Sequence, residues 1–300
     1  MTSIAMATAR RIPTNCREPS SAVLEYDFMQ NAFAAATIVA IVSGLVGYFL
    51  VLRGQTFAGH ALAHVGFTGA TGAVLFGIPP LWGLVLMTMA AGLGMGFLGE
   101  RLAQRDVAIG IVLALSLGLG LLFLHFYTAF ATQATTILFG NVLSVDVETV
   151  WILLALGILS IGVLALISRP LLFASLQPEL AEAKGVSLRL YSVLFLAVVA
   201  LATAECAQIV GVLLVFALMV GPAAAAQRLT TGIGRGLALS AGLALFQAWA
   251  GITLAFYTDW PSSFWITALS GATYMLSTLP SMTRRPARAE PVAGLSEARS

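Results

Sequence analysis

The stretch Trp151-Ile152-Leu153-Leu154-Ala155-Leu156-Gly157-Ile158-Leu159-Ser160-Ile161-Gly162-Val163-Leu164-Ala165-Leu166-Ile167-Ser168 carries no charged side chain, and Arg169 follows at once. As a helix these eighteen residues rise about 27 Å at 1.5 Å each. That is close to the hydrocarbon thickness of a bilayer, about 30 Å. Apolar segments of this kind recur on both sides of it. They cover 29–52, 56–78, 80–99, 107–127, 148–168, 188–205, 207–227, 234–257 and 262–280. Each is long enough, or nearly so, to cross the hydrocarbon core.

The whole chain of 300 residues agrees with this reading: 59% of it is hydrophobic and only 9% is charged, with a mean hydropathy of +0.95. Soluble domains carry about 25% charged residues. The expected fold is all-α, a polytopic integral membrane protein with about nine transmembrane helices, or eight as the alternative. One membrane domain spans 29–280. Residues 1–28 read as a polar, disordered tail, since no long apolar core follows Arg10, Arg11 and Arg17 to make a signal peptide. Residues 281–300 read as a disordered cytoplasmic tail. Cys16 and Cys206 are the only cysteines and sit in no metal or redox motif.

Loop charges set the orientation. If all nine segments cross, Arg53, Arg101, Arg105, Arg169, Lys184, Arg189, Arg228, Arg235, Arg284, Arg285 and Arg288 share one side, the cytoplasmic one. The opposite loops, near Pro79-Pro80, 128–147 and Asp259-Trp260, have no lysine or arginine. The amino terminus then lies outside and the carboxyl terminus inside. The interrupted stretch 128–147 is too short and polar to cross and reads as re-entrant or interfacial. The glycines Gly92, Gly94, Gly96 and Gly99, with Gly110, Gly118 and Gly120, read as close-packing positions.

Two chemistry-bearing features stand out. His60 and His64 lie one helical turn apart inside an apolar segment, so both imidazoles share a face. Ionisable groups at membrane depth are costly and usually face a pathway, and imidazole suits zinc and related metals. This makes His60 and His64 a candidate metal site. The second feature is the charged loop Gln177-Pro178-Glu179-Leu180-Ala181-Glu182-Ala183-Lys184-Gly185-Val186. Pro178 opens a short helix, Glu179 and Glu182 suit its positive end, and Gly185 stops it. Glu179, Ala181, Glu182 and Gly185 are candidate contacts for a cytoplasmic partner. No G-x-x-x-x-G-K-[ST] phosphate loop occurs, so any ATP would be bound by another chain.

Four stretches, in order, resemble the permease subunits of zinc and manganese ABC importers, the ABC-3 family. They are Phe49-Leu50-Val51-Leu52-Arg53 with Phe57-Ala58-Gly59-His60-Ala61-Leu62-Ala63-His64, then Phe139-Gly140-Asn141-Val142-Leu143, then Pro178 to Val186, and lastly Val210 to Ala226. The resemblance runs from about Phe28 to Leu279. It implies a bacterial plasma-membrane permease, a homodimer, with two ATP-binding chains docked on the 177–186 loops. An extracytoplasmic metal-binding protein would deliver a divalent ion, with no permanently bound cofactor and no catalysis by this chain. The family usually has aspartate where this chain has His60, and a second arginine where it has Gly54. Carboxylate suits manganese, whereas two nitrogens suit zinc, so zinc is expected over manganese.

Other polar residues have simpler readings. Glu205 is placed near the outer boundary as a cap or as part of the way in, and Asp259 in the outer loop as a turn residue or binding-protein contact. His125, Trp249, Trp260 and Trp265 read as interfacial anchors. A membrane-embedded metalloenzyme would need a third ligand and a base, and no H-E-x-x-H occurs. A secondary transporter would be expected to bury carboxylates, which the spans lack. The nearest alternative is an importer of a metal chelate, which would not need the histidine pair.

Overall fold

Hydrocarbon offers no hydrogen bonds to a free peptide group, and the described parts of the expected segments are mainly helical. The computed structural model describes residues 27–97, 102–126, 136–140 and 142–283. The helices are α1 (Asp27–Leu52), α2 (Thr56–Leu75), α3 (Pro80–Phe97), α4 (Leu102–His125), α5 (Val147–Leu176), α6 (Pro178–Ala183), α7 (Leu188–Val210), α8 (Val215–Leu229), α9 (Ile233–Thr258) and α10 (Ser262–Thr283). There is no strand among the described residues. The chain is a multi-pass, all-α membrane protein.

By length and hydropathy alone, six segments qualify as spans: α1, α3, α5, α7, Val212–Leu229 and α9. Helix α2 falls short because His60, His64, three threonines and four glycines dilute its apolar content. The two tails lie outside the described residues except at their inner edges. There α1 starts at Asp27 and α10 runs on to Thr283.

Helices α1 and α7 form the centre. Residues 193, 195–196 and 198–207 of α7 are all buried, and α1 is buried along most of its length. Helix α7 packs on α1, α2, α3 and α5, while α1 also meets α8 and α9. Helices α2, α3 and α4 thus flank one side of this centre, and α8, α9 and α10 the other.

Small residues let these helices meet. A methyl on Gly69 of α2 would overlap the Gly83 carbonyl of α3. Gly92 and Gly96, four apart, face Leu196 and Val193 of α7, and Gly120 of α4 faces Phe67. Gly94, Gly110 and Gly118 meet nothing within 4 Å, which corrects the expectation that all the glycines pack. Gly94 sits half a turn from the packed face, where the helical period carries it outward. Gly99 lies outside the described residues.

Among the described residues, Lys184, Arg189 and Arg228 lie at one end of the bundle and hold helix ends together. The Arg189 guanidinium donates to the Phe97 carbonyl at 3.1 Å and lies over its ring. Arg228 donates to the Tyr274 hydroxyl at 2.9 Å. Lys184 sits 5.6 Å above the Phe173 ring. At the other end, the 136–140 segment folds back on the α7–α8 turn. Ser263 donates to the Phe139 carbonyl at 2.5 Å, and Gly140 presses on the backbone of Gly211. The rest of the stretch read as re-entrant or interfacial, 128–135 and Asn141, lies outside the described residues. On that side, too, Asp146 caps α5 by accepting from the Thr149 N–H at 3.1 Å. The Thr149 hydrogen bonds hold its carboxyl below the usual range.

Gly69→Ala is expected to lower stability by about 1–3 kcal/mol through overpacking, read as a lower thermal midpoint of the purified protein. Gly94→Ala is expected to hold or raise the midpoint, since alanine favours a helix over glycine by up to about 1 kcal/mol.

Candidate metal site

The turn between α1 and α2 sets up the site. Gly54 ends α1 at φ +64°, with Gly54 N–H bonded to the Val51 carbonyl and Gln55 N–H to the Leu50 carbonyl, each at 3.0 Å. This paired pattern needs a left-handed residue, which glycine adopts without strain. It gives a structural reason for glycine here. Helix α2 then starts within two residues and packs chiefly on α3, α4 and α7, meeting α1 only near the turn. The Leu50 side chain touches Gly59, where a Cβ would come within 2.7 Å of it.

His60 follows Gly59 and is half-buried. Its ring centroid lies 4.7 Å from that of His64, with the planes at 83°. On its other flank the ring of Phe216, at the start of α8, stands 5.8 Å away. His64 is buried at 8% exposure, and its Nδ1 has no hydrogen-bond partner. An unmet buried nitrogen is costly, about 1–3 kcal/mol. No group of three metal-ligating side chains occurs among the described residues. Among the described residues the two imidazoles thus have no third metal-ligating side chain beside them. A cavity of about 510 Å³ is lined by Thr56, Phe216 and Tyr274 among others, and neither histidine lines it. Phe216 lies far from His60 in sequence, so nothing in the local pattern marks it as a neighbour.

Glu205 is placed differently from the expectation. Helix α7 continues five residues past it, to Val210, so it is no helix cap. It is fully buried between α7, α5 and α1. The Ser160 hydroxyl donates to Oε1 at 3.2 Å. Oε2 has no hydrogen-bond partner and points toward Gly157, whose added Cβ would lie 3.6 Å away. The spans therefore do bury a carboxyl group, a correction to the reading that they lack one. Gln247 on α9 is another fully buried polar group, with neither amide atom bonded. A lone glutamine in an apolar run was the only sequence signal for it.

Asp259 ends α9 at φ 55° and ψ 22°, a left-handed position that aspartate tolerates. It is exposed and lines a cavity of about 540 Å³ with Phe28, Phe139 and Trp260. Trp260 stacks on Trp265 at 5.7 Å, and His125 is exposed beside Phe126 at the end of α4. In the charged loop, Glu179, Glu182 and Gly185 are exposed, and Gly185 at φ +80° stops α6 as expected. Ala181 is fully buried, which removes it from the exposed face. It anchors α6 on the bundle instead.

These features define a helical membrane subunit with a polar pair set inside one of its helices. The chain belongs to the ABC 3 transport family, whose description matches residues 25–281. It is 32% identical over 235 residues to the manganese transport system membrane protein MntC of Listeria innocua, covering 78% of this chain and 84% of that one. It is 31% identical over 232 residues to the manganese import system permease protein ScaB of Streptococcus gordonii, covering 76% and 83%. The solved structure of PsaBC from Streptococcus pneumoniae in complex with Fab superposes with a TM-score of 0.78 at 25% identity, covering 86% of this chain and 94% of that one.

Glu205→Ala would strand the Ser160 hydroxyl in the packed interior, at a cost of about 1–3 kcal/mol. Glu205→Gln keeps an acceptor for it. Thermal unfolding in detergent is expected to show a clear drop for the alanine variant and a smaller one for glutamine.

Proposed function

We propose that this chain is the membrane-spanning subunit of an ATP-driven importer of a divalent transition-metal ion, and that His60 and His64 hold the ion briefly during passage. The observation that carries the reading is the perpendicular imidazole pair on α2, with the His64 Nδ1 buried and unmet. Its place in a family of ABC transporters whose relatives are named for manganese supports metal as the cargo. Zinc sites usually have three or four protein ligands, and two nitrogens from one copy fall short of that. A second copy of the chain would double the set. A cargo site must also release its ion, which favours sparse coordination.

The choice of metal divides two lines of support. Two imidazoles favour zinc over manganese on donor chemistry. The relatives' names speak for manganese and lend zinc no support. The side chain at position 60 is the proposed selector between them. ATP would be bound by a separate chain docked on α6, where Glu179 and Glu182 stand exposed. The cation-rich end of the bundle would then be cytoplasmic, in a bacterial inner membrane. A metal-binding protein would deliver the ion at the Asp259 end, with Glu205 inside the bundle on the way in.

Cellular zinc and manganese uptake tests this in a host lacking its own importers, supplied with this chain and its partner genes. His64→Ala is expected to reduce uptake at least tenfold, a loss of about 1.4 kcal/mol in ion binding or more. His60→Asp is expected to raise manganese uptake relative to zinc. Normal uptake by a well-expressed His64→Ala protein would remove the histidine site and put chelate transport first. Reversing charge with Glu179→Lys and Glu182→Lys together is expected to cut the amount of ATP-binding chain that co-purifies with the permease.

A further inference from the structure

We infer that Arg53 is a positioning residue that links the α6 docking helix to the histidine-bearing helix α2, so that movement at the ATP-binding chain reaches the metal pair through one side chain. The inference rests on reading α6 as the contact for that chain.

The link is continuous and short. Helix α6 is separated from the end of α5 by Gln177 alone. Two residues before Gln177, the Ser175 hydroxyl donates to the Leu171 carbonyl at 2.6 Å. With its proton committed there, Ser175 Oγ accepts from the Arg53 guanidinium at 2.9 Å. The same guanidinium lies 5.4 Å over the ring of Phe195 on α7, a side chain with no exposure. Arg53 thus bridges the inner ends of three helices. Planar stacking combined with directed donation is a role that arginine fills and lysine does not.

What lies on either side lets the link transmit movement. Pro170 sits inside α5 and supplies no N–H to the preceding turn, a known origin of kinks. The 171–176 end of α5 can therefore swing with α6 about that point. On the other side, Arg53 is three residues from the first residue of α2. The Gly54 turn is closed by two backbone bonds, so it passes on displacement without absorbing it. Leu50, bonded into that turn, touches Gly59, the neighbour of His60. A pull on Arg53 that displaces the end of α1 therefore bears, through Leu50, on the backbone that carries the histidines. Coupling of this kind travels through contiguous packed side chains and hydrogen bonds, and these residues form such a contiguous path.

The test uses the permease reconstituted in vesicles with its ATP-binding and metal-binding partners. It reads bound ATP-binding chain, ATP hydrolysis and metal transported per ATP. Arg53→Ala and Ser175→Ala are expected to retain the ATP-binding chain and its hydrolysis. Each is expected to lower metal per ATP by at least about fivefold, the low end of typical coupling between sites. The double variant should be no worse than Arg53→Ala alone, because both remove one link. Arg53→Lys should fall between. If Arg53→Ala does not fold, Ser175→Ala decides, since it removes only a hydroxyl. Wild-type metal per ATP in Ser175→Ala overturns the inference. If the Glu179→Lys and Glu182→Lys protein still binds the ATP-binding chain fully, the docking assignment of α6 fails instead, whatever Arg53 does.

Discussion

A peptide group in hydrocarbon has no water to bond, and this one constraint shapes the whole molecule. Every described crossing segment is a helix, and even the short pieces between them are bonded to a neighbour. The Phe139 carbonyl is met by Ser263. The α1–α2 turn closes on its own carbonyls. Association of the helices cannot draw on the hydrophobic effect inside lipid, because lipid is as apolar as leucine. It draws on contact distance instead, and that explains why glycines sit where α2 meets α3 and where α3 meets α7.

Against this background the polar groups inside the bundle carry meaning by their expense. Several are fully accounted for: Ser240 donates to the Gly44 carbonyl at 2.6 Å, and Thr68 donates to the Ser116 carbonyl of α4. Others are not. The His64 Nδ1, the Glu205 Oε2 and the Gln247 amide remain without protein partners. They occur on α2, α7 and α9, and only on α2 do two ionisable rings stand together. That difference separates a site from an isolated buried polar residue.

The charged end obeys a different logic. There, water and headgroups are near, and the cations can keep their charge while their stems and planes cover aromatic rings. Arg53, Lys184, Arg189 and Arg228 each lie over a ring at 5.0 to 5.8 Å. The exposed contacts, those of Lys184, Arg189 and Arg228, contribute modestly, about 0.5–1 kcal/mol each. Their placement matters more than their strength, because each joins a helix end to another element or to its neighbouring loop.

Composition and hydrophobic run length by themselves determined that the chain is a helical membrane protein, since hydrocarbon permits little else at this length and polarity. Local pattern determined the His60–His64 face and the α6 helix, because four-residue spacing, a proline start and a glycine stop act within a turn or two. The conformational reason for Gly54 was not legible, since only the closed turn shows that its φ must be positive. Nor was the burial of Glu205, whose helix runs on for five residues because the turn is delayed to Gly211. The sequence pattern could not separate Ala181 from Glu182, as a six-residue helix has too few turns to reveal which side rests on the bundle. Phe216 beside His60, Ser160 beneath Glu205 and Ser175 against Arg53 were decided by tertiary structure alone. Each pair joins residues from separate elements, and helix packing, not spacing along the chain, brings them within reach.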